Sequence, residues 1–316
     1  MYDSINFHLT AADVDGADFL AEIPPYLDPD GYGEHDYSGK QSVTGKLGNL
    51  SVSVSPYQVS VKYGSLCKWM LGDNYQTMTR RDTQRAVERL SDTLHLPMDR
   101  ATITRLDVGC TMMVEEPIQI YLNHLGKLKY AKRSTIEDET LYYYRHRRTE
   151  VLCFYDKNRE QRANGEPIPE LYDGKMALRY EQRYTANLPN LLGVKPVTAA
   201  LLYDERFYRM LLTRWRDTYR EINKINETQP DSNFMNTVKN LYRMGVLALA
   251  EKNGGKLELM AYFDECQKRG KLSATQKHRL IKAVEDAFKA EPGFAVPCEA
   301  IAELDKKVSD AIKYYR

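Results

Sequence analysis

Cysteine is scarce in this chain, long apolar runs are missing, and neither sign of charge prevails. The five cysteines (Cys67, Cys110, Cys153, Cys266, Cys298) are odd in number, scattered and without a CxxC pair. That excludes a disulfide framework and a cysteine zinc site, and it points to a reducing, cytoplasmic setting. The longest apolar stretch, Met244 to Ala250, is broken at Gly245 and falls far short of the roughly 18 residues that span a bilayer. The opening residues Met1-Tyr2-Asp3-Ser4 lack the basic stretch and apolar run of a secretory leader. Neither membrane insertion nor secretion is expected.

The formal net charge of +1 names no partner, but its distribution is uneven. Residues 1–40 hold nine acids against the single base Lys40, which leaves 44 bases and 35 acids, about +9, for the rest. A basic body suits phosphate-backbone binding and equally suits an ordinary solvated surface. Tyrosine is abundant at 23 residues, and most of these serve packing.

Ile5 to Leu9 alternates as a strand, and residues 11–40, rich in Asp, Gly and Pro, read as a long loop. Val43 to Tyr63 alternates again, in two or three antiparallel strands. Thr79 caps a helix with the stripe Ala86, Val87, Leu90 and Leu94, ending before Pro97. Thr102 to Gly109 is a strand with Leu106 and Val108 on one face and Arg105 and Asp107 on the other. Pro117 and Gly126 bracket a short helix. Thr140–Arg145 and Glu150–Asp156 form a hairpin around His146-Arg147-Arg148, and Met176 to Tyr184 is a further strand. This order predicts an α+β fold, an antiparallel sheet with helices packed on one face. From Thr198 onward the pattern is helical, with helices expected near 232–251, 257–269 and 273–289, the last opening on the capping pair Ser273 and Gln276. The expected domains are 1–195 and an all-helical 196–316, the latter for DNA or partner binding.

Three strands carry polar residues opposite their apolar partners: Asp107; Tyr155 with Lys157; and Glu181 between Arg179 and Arg183. If the strands are neighbours, two carboxylates, a phenol and several cations meet on one surface. Two acids can hold Mg²⁺ or Mn²⁺, the metal polarises a phosphodiester, and a tyrosine hydroxyl aided by positive charge can attack phosphorus. Arg179, Arg183 and Lys157 could grip flanking phosphates. The same residues also fit a solvated, salt-bridged strand face with packing tyrosines. Tyr142 to Arg148 interleaves aromatics with cations, as single-stranded DNA binding does and as an exposed hairpin tip also does.

The blocks Thr104-Arg105-Leu106-Asp107, Tyr155-Asp156-Lys157-Asn158-Arg159-Glu160 and Arg179-Tyr180-Glu181-Gln182-Arg183 resemble, in order, those of rolling-circle replication initiators. The likeness is to the gene II replication proteins of filamentous phages and related plasmid Rep proteins, over about residues 1–200. It implies an HUH-endonuclease-like fold in a DNA-nicking domain, with Tyr155 as nucleophile aided by Lys157, and Asp107 and Glu181 holding Mg²⁺ or Mn²⁺. Arg105, Arg145, His146, Arg147, Arg148, Arg179 and Arg183 would contact origin DNA. The products would be a 5′-phosphotyrosine and a 3′-OH primer, with strand rejoining at termination and a host helicase and DNA polymerase as partners. The chain departs from many such enzymes in lacking a His-hydrophobic-His pair: His8, His35, His95, His124, His146 and His278 are isolated. A mobilisation relaxase with the same chemistry, and a non-catalytic DNA-binding protein on a related fold, stay open.

Overall fold

Alternating side chains build a ten-stranded antiparallel sheet in the computed structural model, which describes residues 1–14, 18–37, 40–137, 139–225, 227–228, 237–290, 295–296 and 298–315. Its strands are β1 (Tyr2–Thr10), β2 (Asp28–Tyr37), β3 (Lys40–Leu47), β4 (Leu50–Ser55), β5 (Gln58–Lys62), β6 (Thr102–Val114), β7 (Lys132–Ile136), β8 (Thr140–Arg145), β9 (Glu150–Asp156) and β10 (Met176–Tyr184). They lie in the order β2-β3-β4-β5-β1-β6-β10-β9-β8-β7. The middle of the sheet thus joins β1, β6, β10 and β9, which are remote in sequence.

The helices are α1 (Phe19–Glu22), α2 (Leu66–Leu71), α3 (Arg80–Leu94), α4 (Ile118–His124), α5 (Lys157–Ala163), α6 (Leu188–Leu192), α7 (Ala199–Leu202), α8 (Glu205–Arg220), α9 (Val238–Lys252), α10 (Lys256–Lys268), α11 (Ala274–Ala290) and α12 (Glu299–Tyr315). Thr79 and Asp82 close a reciprocal capping box on α3, whose residues Ala86, Val87, Leu90 and Leu94 are buried as their spacing predicts. The first part of the helix expected from 232, residues 232–236, lies outside the described residues. No helix among the described residues is long and apolar enough to cross a membrane.

Two compact units emerge, Met1–Lys224 with Glu303–Arg316, and Ile225–Ala302. The first continues past the boundary expected near 195 because α8 belongs to the sheet's core. Asp204 caps α8 by accepting the Phe207 N–H, and the helix buries Phe207, Leu211, Leu212, Trp215 and Tyr219. Trp215 stacks on Tyr180 at 4.6 Å, and Tyr180 on Phe154 of β9 at 4.4 Å. Each such ring contributes roughly 1.5–3 kcal/mol through removal from water. The second unit has its own core of Ala250, Leu259, Phe263 and Val284, and Ser273 and Gln276 exchange the expected capping bonds.

One stretch differs from the sequence reading. Residues 11–40 are not one long loop: Asp18 caps α1, and β2 pairs with β3 at the sheet edge. An edge strand bonds on one side only, so turn-forming residues are tolerated there. The helix α12, with Leu304 and Val308 buried, falls within the stretch expected to be helical from Thr198 onward, although the sequence pattern sets no bounds for it.

Candidate active site

The register of the central strands decides which residues meet. Between β6 and β10, Asp107 lies opposite Arg183, Gly109 opposite Glu181, and Thr111 opposite Arg179. Between β10 and β9, Arg179 lies opposite Tyr155 and Glu181 opposite Cys153. Directly paired residues share a face, so Asp107, Glu181 and Tyr155 all lie on the side away from the Tyr180–Trp215 stack.

Glu181 is the hub of this face. Its Oε1 accepts the Tyr155 hydroxyl at 2.8 Å and Arg179 Nε at 2.9 Å, and its Oε2 accepts Arg183 Nε at 2.7 Å. Arg105 binds both oxygens of Asp107, at 3.1 and 2.8 Å. Arg179 also reaches Asp3 Oδ2 at 2.6 Å, Thr111 Oγ1 at 3.0 Å and the Asn74 carbonyl at 2.9 Å. Three guanidinium groups thus offset the carboxylates of Asp3, Asp107 and Glu181. Gly109 makes room for the hub: a Cβ there would stand 2.8 Å from Glu181 Cγ and 2.8 Å from the Tyr180 carbonyl oxygen.

The Arg-Glu-Arg row is therefore not a solvated strand face. Asp107 and Glu181 are each 3% exposed, and Tyr155 is 9% exposed. Tyr75 and Tyr172, with ring centroids 4.6 Å apart, pack against Ala177 and roof the Arg179 end. Arg179 is consequently sealed, all its bonds are internal, and the expectation that it grips DNA is corrected: it clamps the hub from below. At the other end, the Arg183 and Arg105 side chains are 26% and 37% exposed and form the solvent rim.

Burial dominates the electrostatics. It pushes the Asp107 carboxyl up to about 6, against the pull of Arg105. Burial would raise Glu181 too, but Arg183 and Arg179, with the Tyr155 hydrogen bond, hold it at about 2. The Tyr155 phenol is driven well above its ordinary range by burial and by the Glu181 charge.

Hard carboxylate oxygens on adjacent strands suit Mg²⁺ or Mn²⁺. No group of three His, Cys, Asp or Glu residues among the described ones is arranged to hold a metal. Asp107 and Glu181 nevertheless fit the two-carboxylate pattern in which substrate phosphate supplies the remaining oxygens. Their present partners, Arg105 and Arg183, would have to yield.

Lys157 is not on the strand beside Tyr155, as expected, but in the helix that follows it. The strand β9 ends at Asp156, which caps α5 by accepting the Arg159 N–H and turns the chain away. Lys157 is fully buried in the first turn of α5, with its Nζ 2.7 Å from Glu160 Oε2 and 5.6 Å from the Tyr75 ring centre. Its contacts anchor α5.

The aromatic–cationic strip Tyr142 to Arg148 is divided by strand parity. Tyr142 and Tyr144 lie on the carboxylate face, opposite Cys153 and Val151, with their rings stacked at 5.6 Å and Arg148 5.0 Å above Tyr144. Tyr143 lies on the other face, buried, and donates to the carbonyls of Leu125 and Gly126. Arg145 and His146 lean toward the buried Glu150, at 3.7 and 3.4 Å, and Arg147 is exposed at the tip. Sequence reasoning missed Asp3, Gly109 and Thr111. Asp3, in a strand with an otherwise apolar buried side, was the available signal.

The family model for the N-terminal region of the filamentous-phage gene II replication-associated protein matches residues 1–201. A search of the curated proteins finds no match.

Proposed function

The chain belongs to the gene II replication-associated protein family of filamentous-phage rolling-circle replication initiators, and from that membership we propose that it cuts one strand of origin DNA on the carboxylate face of its sheet. The observation that carries this reading is the Tyr155–Glu181 hydrogen bond at the centre of the Asp107, Arg105 and Arg183 constellation.

Asp107 and Glu181 would hold the divalent cation, Mg²⁺ or Mn²⁺, which when bound polarises the scissile phosphate. The Tyr155 oxygen forms a bond to phosphorus as the bond from phosphorus to the 3′ oxygen breaks. Glu181 orients the hydroxyl, the phenol proton leaves to solvent, and Arg179, bound to the same Glu181 oxygen as Tyr155, offsets the phenolate charge. The 3′ oxygen takes up a proton and becomes the primer that a host DNA polymerase extends behind a host helicase. The reverse reaction rejoins the strand. Tyr142, Tyr144 and Arg148 offer stacking faces and a cation to the unpaired strand.

Arg105 and Arg183 have a second task. Each occupies a carboxylate and reaches solvent, so DNA phosphates compete for the arginines while the cation competes for the acids. Binding of cation and DNA is thereby linked, each favouring the other.

Burial of Tyr155 supports one alternative assignment. Tyr142 is half-buried on the same face and so more accessible than Tyr155, and burial lifts its phenol to about 12. In that reading Tyr142 attacks and Tyr155 orients Glu181. On a supercoiled origin plasmid, Tyr155→Phe should lose all cutting and keep band-shift binding. Persistent cutting would transfer the role to Tyr142, and unchanged plasmid maintenance would favour a non-catalytic DNA-binding protein. Activity confined to a transfer origin would identify a mobilisation relaxase.

A further inference from the structure

The opposite side of the sheet carries arginines that the cutting reaction does not use. An open cleft of about 700 Å³ is lined by Arg145 from the β8–β9 turn and by Arg206, Arg209 and Arg214 from α8, against the acids Asp217 and Glu221. Positions 206, 209, 213 and 217 recur at three- and four-residue spacing, so α8 offers them on one face while its other face buries Trp215.

The floor of the cleft is built to hold its cations in place. Glu150 is fully buried, accepts Gln182 Nε2 at 2.6 Å, and draws Arg214 to 3.4 Å and Arg145 to 3.7 Å. Arg214 also lies 5.3 Å over the Tyr184 ring. Arg206 and Arg209 stand apart from this floor and are exposed; Arg209 pairs with the equally exposed Glu205, a contact of the weak surface kind.

The turn that links the two faces is strained. His146, Arg147 and Arg148 have φ of 46°, 55° and 71°, a left-handed region that side chains with a Cβ seldom enter three times running. This turn sends Arg148 to the carboxylate face and Arg145 into the cleft.

We propose that the cleft of Arg145, Arg206, Arg209 and Arg214 binds the phosphodiester backbone of duplex DNA flanking the cut, as a second contact on the far side of the sheet. Guanidinium forks match phosphate oxygens bidentately. From Arg206 to Arg214 the helix advances about 12 Å, the axial rise of three to four nucleotides of one duplex strand. The cleft thus suits a chain of phosphates better than a lone anion. The inference rests on the reading that this protein binds origin DNA.

The test is fluorescence anisotropy of a labelled origin duplex with the full chain across a salt series, comparing wild type with Arg206→Ala/Arg209→Ala. Loss of two phosphate contacts should flatten the plot of log K against log salt by about 2, equally for origin and unrelated duplexes. Arg206→Lys/Arg209→Lys should restore the slope, which excludes a folding defect. An unchanged slope in the alanine variant overturns the cleft assignment alone, whereas absence of any binding by wild type overturns the functional reading beneath it.

Discussion

Replacing Arg183 by glutamine removes a charged partner from a carboxylate that is 3% exposed. In the folded protein Glu181 is held at about 2, against an ordinary 4.5. The gap corresponds to about 3 kcal/mol of stability at neutral pH. A depressed acid stabilises the fold fully above its unfolded value, and that contribution fades as pH falls from 4.5 through 2. Arg183→Gln should therefore cost about 2–3 kcal/mol at pH 7, and the difference should shrink to about half by pH 3. Urea unfolding followed by tryptophan fluorescence reads this well, since Trp69 and Trp215 both lie in the first compact unit. The variant should also bind Mn²⁺ more tightly than wild type without DNA, because one carboxylate is released. A loss below about 0.5 kcal/mol, the size of an exposed pair, would refute the buried hub. So would a loss that does not change with pH.

Asp107 should behave with the opposite sign. Its folded value, about 6, lies above the ordinary 3.8, so burying its charge costs stability above pH 6, and that cost is relieved as pH falls toward 4. Asp107→Asn should abolish metal-dependent nicking yet melt no lower than wild type at pH 8; clear destabilisation there would contradict the burial cost. Gly109→Ala puts a methyl 2.8 Å from Glu181 Cγ and 2.8 Å from a backbone oxygen, so it should destabilise by about 1–3 kcal/mol and suppress cutting. Wild-type cutting by that variant would show that the position of Glu181 is not critical.

Much of this architecture is legible along the chain because central strands carry strong alternation. Leu106 and Val108 against Asp107, and Tyr180 against Glu181, mark two faces without any structure, and Thr79 with Asp82 marks a helix start. Neighbourhood is not legible in the same way. That β6 pairs with β10, and β10 with β9, depends on long-range pairing that no local pattern encodes, and only the family likeness points to it. Burial within a polar face is equally hidden. Arg179 and Arg183 read alike in sequence, yet the Tyr75–Tyr172 roof seals one and leaves the other at the rim. The misplacement of Lys157 has a local cause, because strand alternation runs on in the sequence through Asp156, a residue well suited to helix capping.

The most direct measurement is mass spectrometry of the covalent complex trapped on a suicide origin oligonucleotide with Mn²⁺. A nucleotide-bearing peptide modified at Tyr155 is the expected result. Modification at Tyr142, or no adduct despite efficient cutting, would contradict the assignment of the attacking oxygen.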